Sequence, residues 1–102
     1  MKTLFIFATL VLLVWVCGCK ADTPESTESA GSKIYKTYCV ACHGLYGDMG
    51  ASGAFNLTTS VLSVEERIQV ITKGRNAMTP FESLLKPEQI AAVAAYTMSL
   101  KK

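Results

Sequence analysis

The 102-residue chain has no hydrophobic run long enough to span a bilayer. A transmembrane helix needs about 20 apolar residues. The longest uncharged apolar stretch, Leu4 to Val16, has thirteen and follows Met1-Lys2-Thr3. A short basic start and a run of that length read as a signal peptide, so the chain is expected to be exported. A core helix in its place would not be apolar on every face, nor lead straight into a polar tract. A dense basic stripe is also missing. Residues 31–102 carry eight Lys and Arg against five Asp and Glu, which excludes a nucleic-acid binder and leaves weak steering towards an acidic partner. Beyond residue 30 there is no tryptophan, a single histidine (His43) and only two cysteines, Cys39 and Cys42. The glycine-rich stretch GLYGDMGASG lacks the Gly-Lys-Ser/Thr ending of a phosphate-binding loop. No internal repeat and little strand patterning are present.

Lys20 to Ala30, KADTPESTESA, holds no aromatic, branched aliphatic or long apolar side chain. It cannot bury enough surface to offset the entropy of ordering, and reads as a flexible tether. The remaining 72 residues, 31–102, form one small domain. A domain of that size needs a staple: disulfides, a metal or a cofactor.

The domain reads as all-α. Ile34, Tyr35 and Tyr38 share a helical face, with Ser29 and Ser32 as alternative N-caps. Four glycines at three-residue spacing, Gly44 to Gly53, make a loop. SVEERIQVITKG has a capping box at Ser63 and Glu66, an apolar face at Val64, Ile68 and Ile71, and a stop at Gly74. RNAMTPF is irregular, and Phe81 to Leu85 forms at most a helical turn. KPEQIAAVAAYTMSL is a helix with Pro87 at its first position and a stripe of Ile90, Val93, Tyr96 and Leu100.

The chemistry lies in CVACH. C-x-x-C-H is the attachment pattern of c-type haem. Two cysteines three apart on a helical turn project to one side, where they can form thioethers to one edge of a porphyrin. The adjacent His43 then brings its imidazole under the iron, with its other ring nitrogen donating to a backbone carbonyl. Three alternatives stand beside this. A thioredoxin-like pair would require a βαβ context. Zinc would require a fourth ligand, to be recruited from a carboxylate. A plain Cys39–Cys42 disulfide is compatible with export. Covalent haem also meets the need for a staple, since the macrocycle offers apolar surface around which the chain can pack.

A sixth ligand must come from a methionine, because no second histidine exists. Met49 follows His43 by six residues and would struggle to reach the opposite face. Met98 is on a helix that should pack on other helices. Met78 is in the irregular loop before Pro80 and Phe81, where the chain can wrap around the cofactor. Methionines in small domains are mostly core filler; position and loop context single out Met78 as the distal ligand.

With these residues in place, Gly31 to Leu100 resembles the class I monohaem cytochromes c, in their small bacterial lipoprotein form. Gly31, Tyr35 and Cys39 match the glycine, aromatic and first cysteine of the family's first helix. Val93 and Tyr96 match its last helix, and GRNAMTPF its methionine loop. The resemblance implies three to four helices wrapped around one covalent haem c. It also implies a first and last helix crossing where the glycine lets them touch, and Met78 as iron ligand. Two family features differ: AFNL puts Phe55 where a proline usually offers its carbonyl to the proximal histidine, and the propionate-binding tryptophan is missing. Arg75 and Asn76 are candidates for the propionates, with a solvated role for Arg75 equally open.

The resulting expectation is electron transfer, not enzymatic turnover. Haem c cycles between Fe(II) and Fe(III), with Cys39 and Cys42 as covalent attachments and His43 and Met78 as axial ligands. The partners would be redox proteins of a respiratory chain, such as a cytochrome bc-type complex, a terminal oxidase or a reductase. They would dock near the exposed haem edge, with Lys33, Lys36, Lys73 and Lys86 as candidate rim charges. Two alternatives are a haem subunit tethered within a larger oxidoreductase and a ligand-binding or peroxidatic protein with a labile methionine. Val16-Cys17-Gly18-Cys19 resembles a bacterial lipobox. On that reading residues 1–18 are the leader, Cys19 becomes the lipidated first residue, and residues 19–30 leash the domain to the outer face of the membrane. Cleavage after Ala21, giving a soluble periplasmic protein, is the alternative.

Overall fold

A computed structural model describes residues 28–102. The expected leader, the Cys17/Cys19 pair and most of the tether lie outside the described residues. Ser29 begins the fold: its hydroxyl accepts from the Ser32 N–H at 3.1 Å and caps helix α1, Ala30–Tyr38. Of the two serines proposed as caps, Ser29 takes the role. Ser32 is buried in the first turn and donates to Glu28, which also pairs with Lys36. The chain turns at Cys39 into a single helical turn, α2, Val40–His43.

A glycine-rich loop with a short 3₁₀ turn, Ala51–Gly53, leads away from His43. Helix α3, Val64–Lys73, opens on the expected capping box: Ser63 accepts from the Glu66 N–H at 3.2 Å, and Glu66 accepts from the Ser63 N–H at 2.7 Å. It closes at Gly74, whose N–H reaches the Val70 carbonyl at 2.8 Å. The loop after it turns back tightly, with Met78 N–H on Arg75 O at 2.9 Å and Phe81 N–H on Ile71 O at 2.9 Å. The methionine loop is thus pinned at both ends to the end of α3. Helix α4, Pro87–Met98, starts with Pro87 at its first position, and Gln89 accepts from the Lys86 N–H at 2.9 Å.

The core is Tyr35, Ile71, Phe81, Leu85, Ile90, Val93 and Ala94. It joins one face of each long helix to the turn of residues 81–85. Helices α1 and α3 both pack on α4. At the α1–α4 crossing a Cβ on Gly31 would collide with the Ala92 carbonyl oxygen and approach Tyr96 Cβ at 2.9 Å. The backbones approach so closely because position 31 has no side chain. Tyr35 and Tyr96 pack beside it with ring centroids 5.2 Å apart. The expected all-α fold is the one observed, with four helices and no strand among the described residues.

Candidate functional site

Helices α1 and α2, the glycine loop, α3 and the methionine loop surround one cavity of about 430 Å³. Cys39, Cys42, His43 and Met78 all line it. Of the three methionines in the described residues, only Met78 does so: Met49 is exposed in the glycine loop, and Met98 is on α4 outside the cavity. Apolar walls come from Leu57, Leu62, Val70, Ile71 and Phe81.

His43 ends α2, and its ring is fixed from the far side of the glycine loop. Nδ1 stands 3.1 Å from the backbone carbonyl oxygen of Phe55. A carbonyl only accepts, so Nδ1 carries the proton and Nε2 keeps its lone pair for a metal. Burial lowers the His43 pKa, against the bond to Phe55, which raises it. The imidazole is therefore neutral at pH 7, as ligation requires. The Phe55 carbonyl takes the place expected of it although no proline is present, since the bond uses only the main chain. The loop after His43 is fixed by the Tyr35 hydroxyl, which donates to the Gly44 carbonyl at 2.7 Å.

Of the two cysteines, Cys39 is partly buried and Cys42 exposed. Burial pushes the Cys39 thiol up to about 11. Reactive thiols of redox proteins have lowered pKa values, so Cys39 lacks the electrostatics of a thiol–disulfide exchanger. Among the described residues no group of three or more His, Cys, Asp or Glu is gathered to hold a metal ion, and the zinc alternative has no fourth ligand. The donor set fits a porphyrin: two thiols on one wall, an imidazole with a free Nε2, a thioether from another loop, and apolar surroundings.

At the mouth, the Arg75 guanidinium lies 4.3 Å from the centroid of the Phe55 ring, a cation–π contact between the methionine loop and the glycine loop. Two of the candidate rim lysines are held by ion pairs, Lys36 with Glu28 and Lys73 with Glu82. Among the described residues no helix is long and apolar enough to cross a membrane.

A family model described as "Cytochrome C oxidase, cbb3-type, subunit III" matches residues 26–96. The chain is a class I c-type cytochrome of that family. Its cofactor is covalently bound haem c, and its role is that of an electron-transfer cytochrome. Cytochrome c6 of Nostoc sp. is 29% identical over 96% of this chain and 93% of its own length. Cytochrome c-555 of Methylococcus capsulatus is 46% identical over 52% of this chain and 45% of its own. The cbb3-type oxidase subunit FixP of Sinorhizobium medicae is 37% identical over 71% of this chain, which matches 29% of FixP. Among solved structures, the KustC0563 c-type cytochrome superposes with a TM-score of 0.64 at 32% identity, covering 71% of this chain and 98% of the other.

One residue of this cytochrome's site escaped the sequence reading. Arg67 on α3 is only 4% exposed and lines the cavity. Its partners are all carbonyls: Nε donates to Leu62 O at 3.3 Å, Nη1 to Thr97 O at 3.0 Å and Nη2 to Ser60 O at 3.2 Å. The signal was its register, three residues after Val64 and four before Ile71, on the helix face that is otherwise apolar.

Proposed function

We propose that the cytochrome is a single-electron carrier with His/Met ligation. Cys39 and Cys42 hold the haem through thioethers, His43 Nε2 is the proximal ligand and Met78 the distal one. The observation that carries this is the convergence of all four on one cavity, with the His43 tautomer set by Phe55. Haem c supplies the one-electron Fe(II)/Fe(III) couple, and imidazole with thioether favours the reduced form. The protein's share is positional. Phe55 holds the imidazole at a fixed rotation. The loop pinned to α3 would present Met78 as the second ligand. The apolar walls keep water from the reacting centre, which limits solvent reorganisation during electron transfer. With His43 and Met78 both holding the iron, no position on it would be left for a substrate.

The test is an absorption spectrum of the oxidised holoprotein with and without Met78→Ala. A near-infrared methionine–iron charge-transfer band, present in the wild type and lost in the variant, is the expected result. A high-spin wild-type spectrum with rapid carbon monoxide binding would overturn it and favour the ligand-binding alternative.

A second reading, the haem subunit of a larger oxidase, is supported by the description of the matching family and by the likeness to FixP. Copurification with a haem–copper oxidase from detergent-solubilised membranes separates it from a mobile carrier. Both readings put the domain outside the cytoplasm, and we propose that a lipid on Cys19 tethers it there. Two or more acyl chains would give stable anchoring. Mass spectrometry of the mature N-terminus decides: a diacylglyceryl Cys19 is expected, and an unmodified Asp22 refutes the anchor.

A further inference from the structure

Leu100 follows α4 and lines no part of the cavity, yet it packs on the loop that orients His43. The contact is at Gly47. This residue is buried at φ +83°, and a Cβ built on it would lie 3.1 Å from Leu100 Cδ1 and 3.1 Å from Leu57 Cβ. The Gly47 backbone is therefore seated between two leucine side chains. Its carbonyl accepts from the Leu57 N–H at 2.8 Å, and its N–H donates to the Gly44 carbonyl at 3.3 Å. The outgoing arm of the loop, residues 44–47, is thus tied to the returning arm, residues 55–58. The returning arm has little freedom of its own. Asn56 Oδ1 accepts from both the N–H and the hydroxyl of Thr58, and Thr58 O accepts from the Lys102 N–H at 3.1 Å. The segment after α4 holds both arms, Leu100 by packing on Gly47 and Lys102 by a main-chain bond. Phe55 stands on the returning arm, and its carbonyl faces His43 Nδ1 at 3.1 Å. A hydrogen bond weakens steeply as its geometry is lost, so the imidazole depends on where these arms are held.

We infer that Leu100 is a positioning residue for the His43 imidazole: packed on Gly47, it sets the approach of the Phe55 carbonyl to Nδ1 and through it the reduction potential. Leu57 touches Gly47 too, but it also lines the cavity and would act there directly; Leu100 does not. Donation of the Nδ1 proton raises the basicity of the ring as a ligand, and a more basic ligand favours the ferric state. Loosening the arms weakens that bond and moves the potential up. Opening the cavity to water acts in the other direction, because water stabilises the more highly charged ferric state.

The inference rests on His43 as the haem ligand and not on the identity of the distal one. The test is hydrogen exchange of the His43 Nδ1–H, followed by NMR of the ferrous holoprotein, together with the midpoint potential. A carbon monoxide adduct gives the same readout should Met78 not bind. The variants are Leu100→Ala, Leu100→Met and Ile90→Ala. Ile90 is buried on α4 outside the cavity, and its variant controls for lost stability. Leu100→Ala is expected to speed the exchange about fivefold, the factor carried by one ordinary hydrogen bond, and to raise the potential. Leu100→Met nearly conserves volume and keeps the wild-type values of both. Ile90→Ala lowers the melting temperature and leaves both unchanged. Wild-type exchange and potential in Leu100→Ala would overturn the inference, as would a fall in potential or the same change in Ile90→Ala. Should Leu100→Ala lose its haem, Leu100→Val makes a smaller cut and is read in the same way. Wild-type His43 ring protons without the shift of a haem ring current would remove the ligand and the inference together. Shifted ring protons with an unresponsive Leu100→Ala would overturn the inference alone.

Discussion

A Cβ on Gly74 would lie 2.5 Å from the carbonyl oxygen of Met78 and 2.9 Å from the Pro80 nitrogen. The end of α3 and the methionine loop are in contact at a point where any side chain would separate them. Gly74 also has φ +72° and ψ 170°, a region open essentially to glycine alone. Gly74→Ala therefore meets two penalties, backbone strain of about 1–3 kcal/mol and displacement of the loop. The expected outcome is a weakened or lost near-infrared methionine band and faster carbon monoxide binding, with the Cys39/Cys42 attachment intact. A variant that keeps the band and the wild-type stability would show that the loop shifts freely.

At the crossing of α1 and α4 the prediction concerns stability without spectral change. Gly31→Ala drives a methyl group into the Ala92 carbonyl and Tyr96 Cβ. Overpacking of this kind costs about 1–3 kcal/mol, and each kcal/mol lowers the melting temperature of a domain this size by about 4–8 °C. The haem spectrum should stay as in the wild type, since no cavity-lining residue is moved directly. Thermal melting followed at the Soret band measures it.

The helices were readable from local signals: the capping box of Ser63 and Glu66, Pro87 at a first helical position, and apolar residues at helical spacing. C-x-x-C-H carried the site's chemistry in five residues. The Phe55 carbonyl was nameable because a main-chain acceptor survives the loss of proline. Arg67 was not, because a charge on a helix reads as solvated until three carbonyls are seen to receive it. One of these, Thr97 O, is thirty residues away in sequence and on another helix. Burial of Thr58 was hidden for a related reason: its N–H and hydroxyl both donate to Asn56 Oδ1, at 2.9 and 2.7 Å, a local turn that satisfies the polar groups inside the fold.

Phe55 offers a separation of side chain from main chain. Its carbonyl serves His43, and its ring serves Arg75. Phe55→Leu removes only the second contact, at a cost of about 0.5–1 kcal/mol for an exposed cation–π pair. The His43 bond should persist, so the haem spectrum and the reduction potential should change little while chemical stability falls slightly. A large shift of potential would mean that the ring, and not the carbonyl, fixes the imidazole.

Tyr35 gives the alkaline limit of the fold. It is fully buried, its hydroxyl donates to Gly44 O, and it titrates at about 12, raised first by burial and then by Cys39, Tyr96 and Asp48. In the holoprotein Cys39 no longer ionises, but burial, the larger cause, remains. A group whose folded pKa lies above its unfolded value stabilises fully below the unfolded pKa, about 10 for tyrosine. That contribution is lost as pH rises through the folded value. The wild type should therefore lose stability between pH 10 and about 12 through this residue. Tyr35→Phe gives up the Gly44 bond, about 0.5–1.5 kcal/mol at neutral pH, but has no hydroxyl to ionise. Denaturant midpoints of the two holoproteins, compared across that window, should converge as pH rises. A constant gap would mean that Tyr35 ionises as readily in the fold as in the unfolded chain.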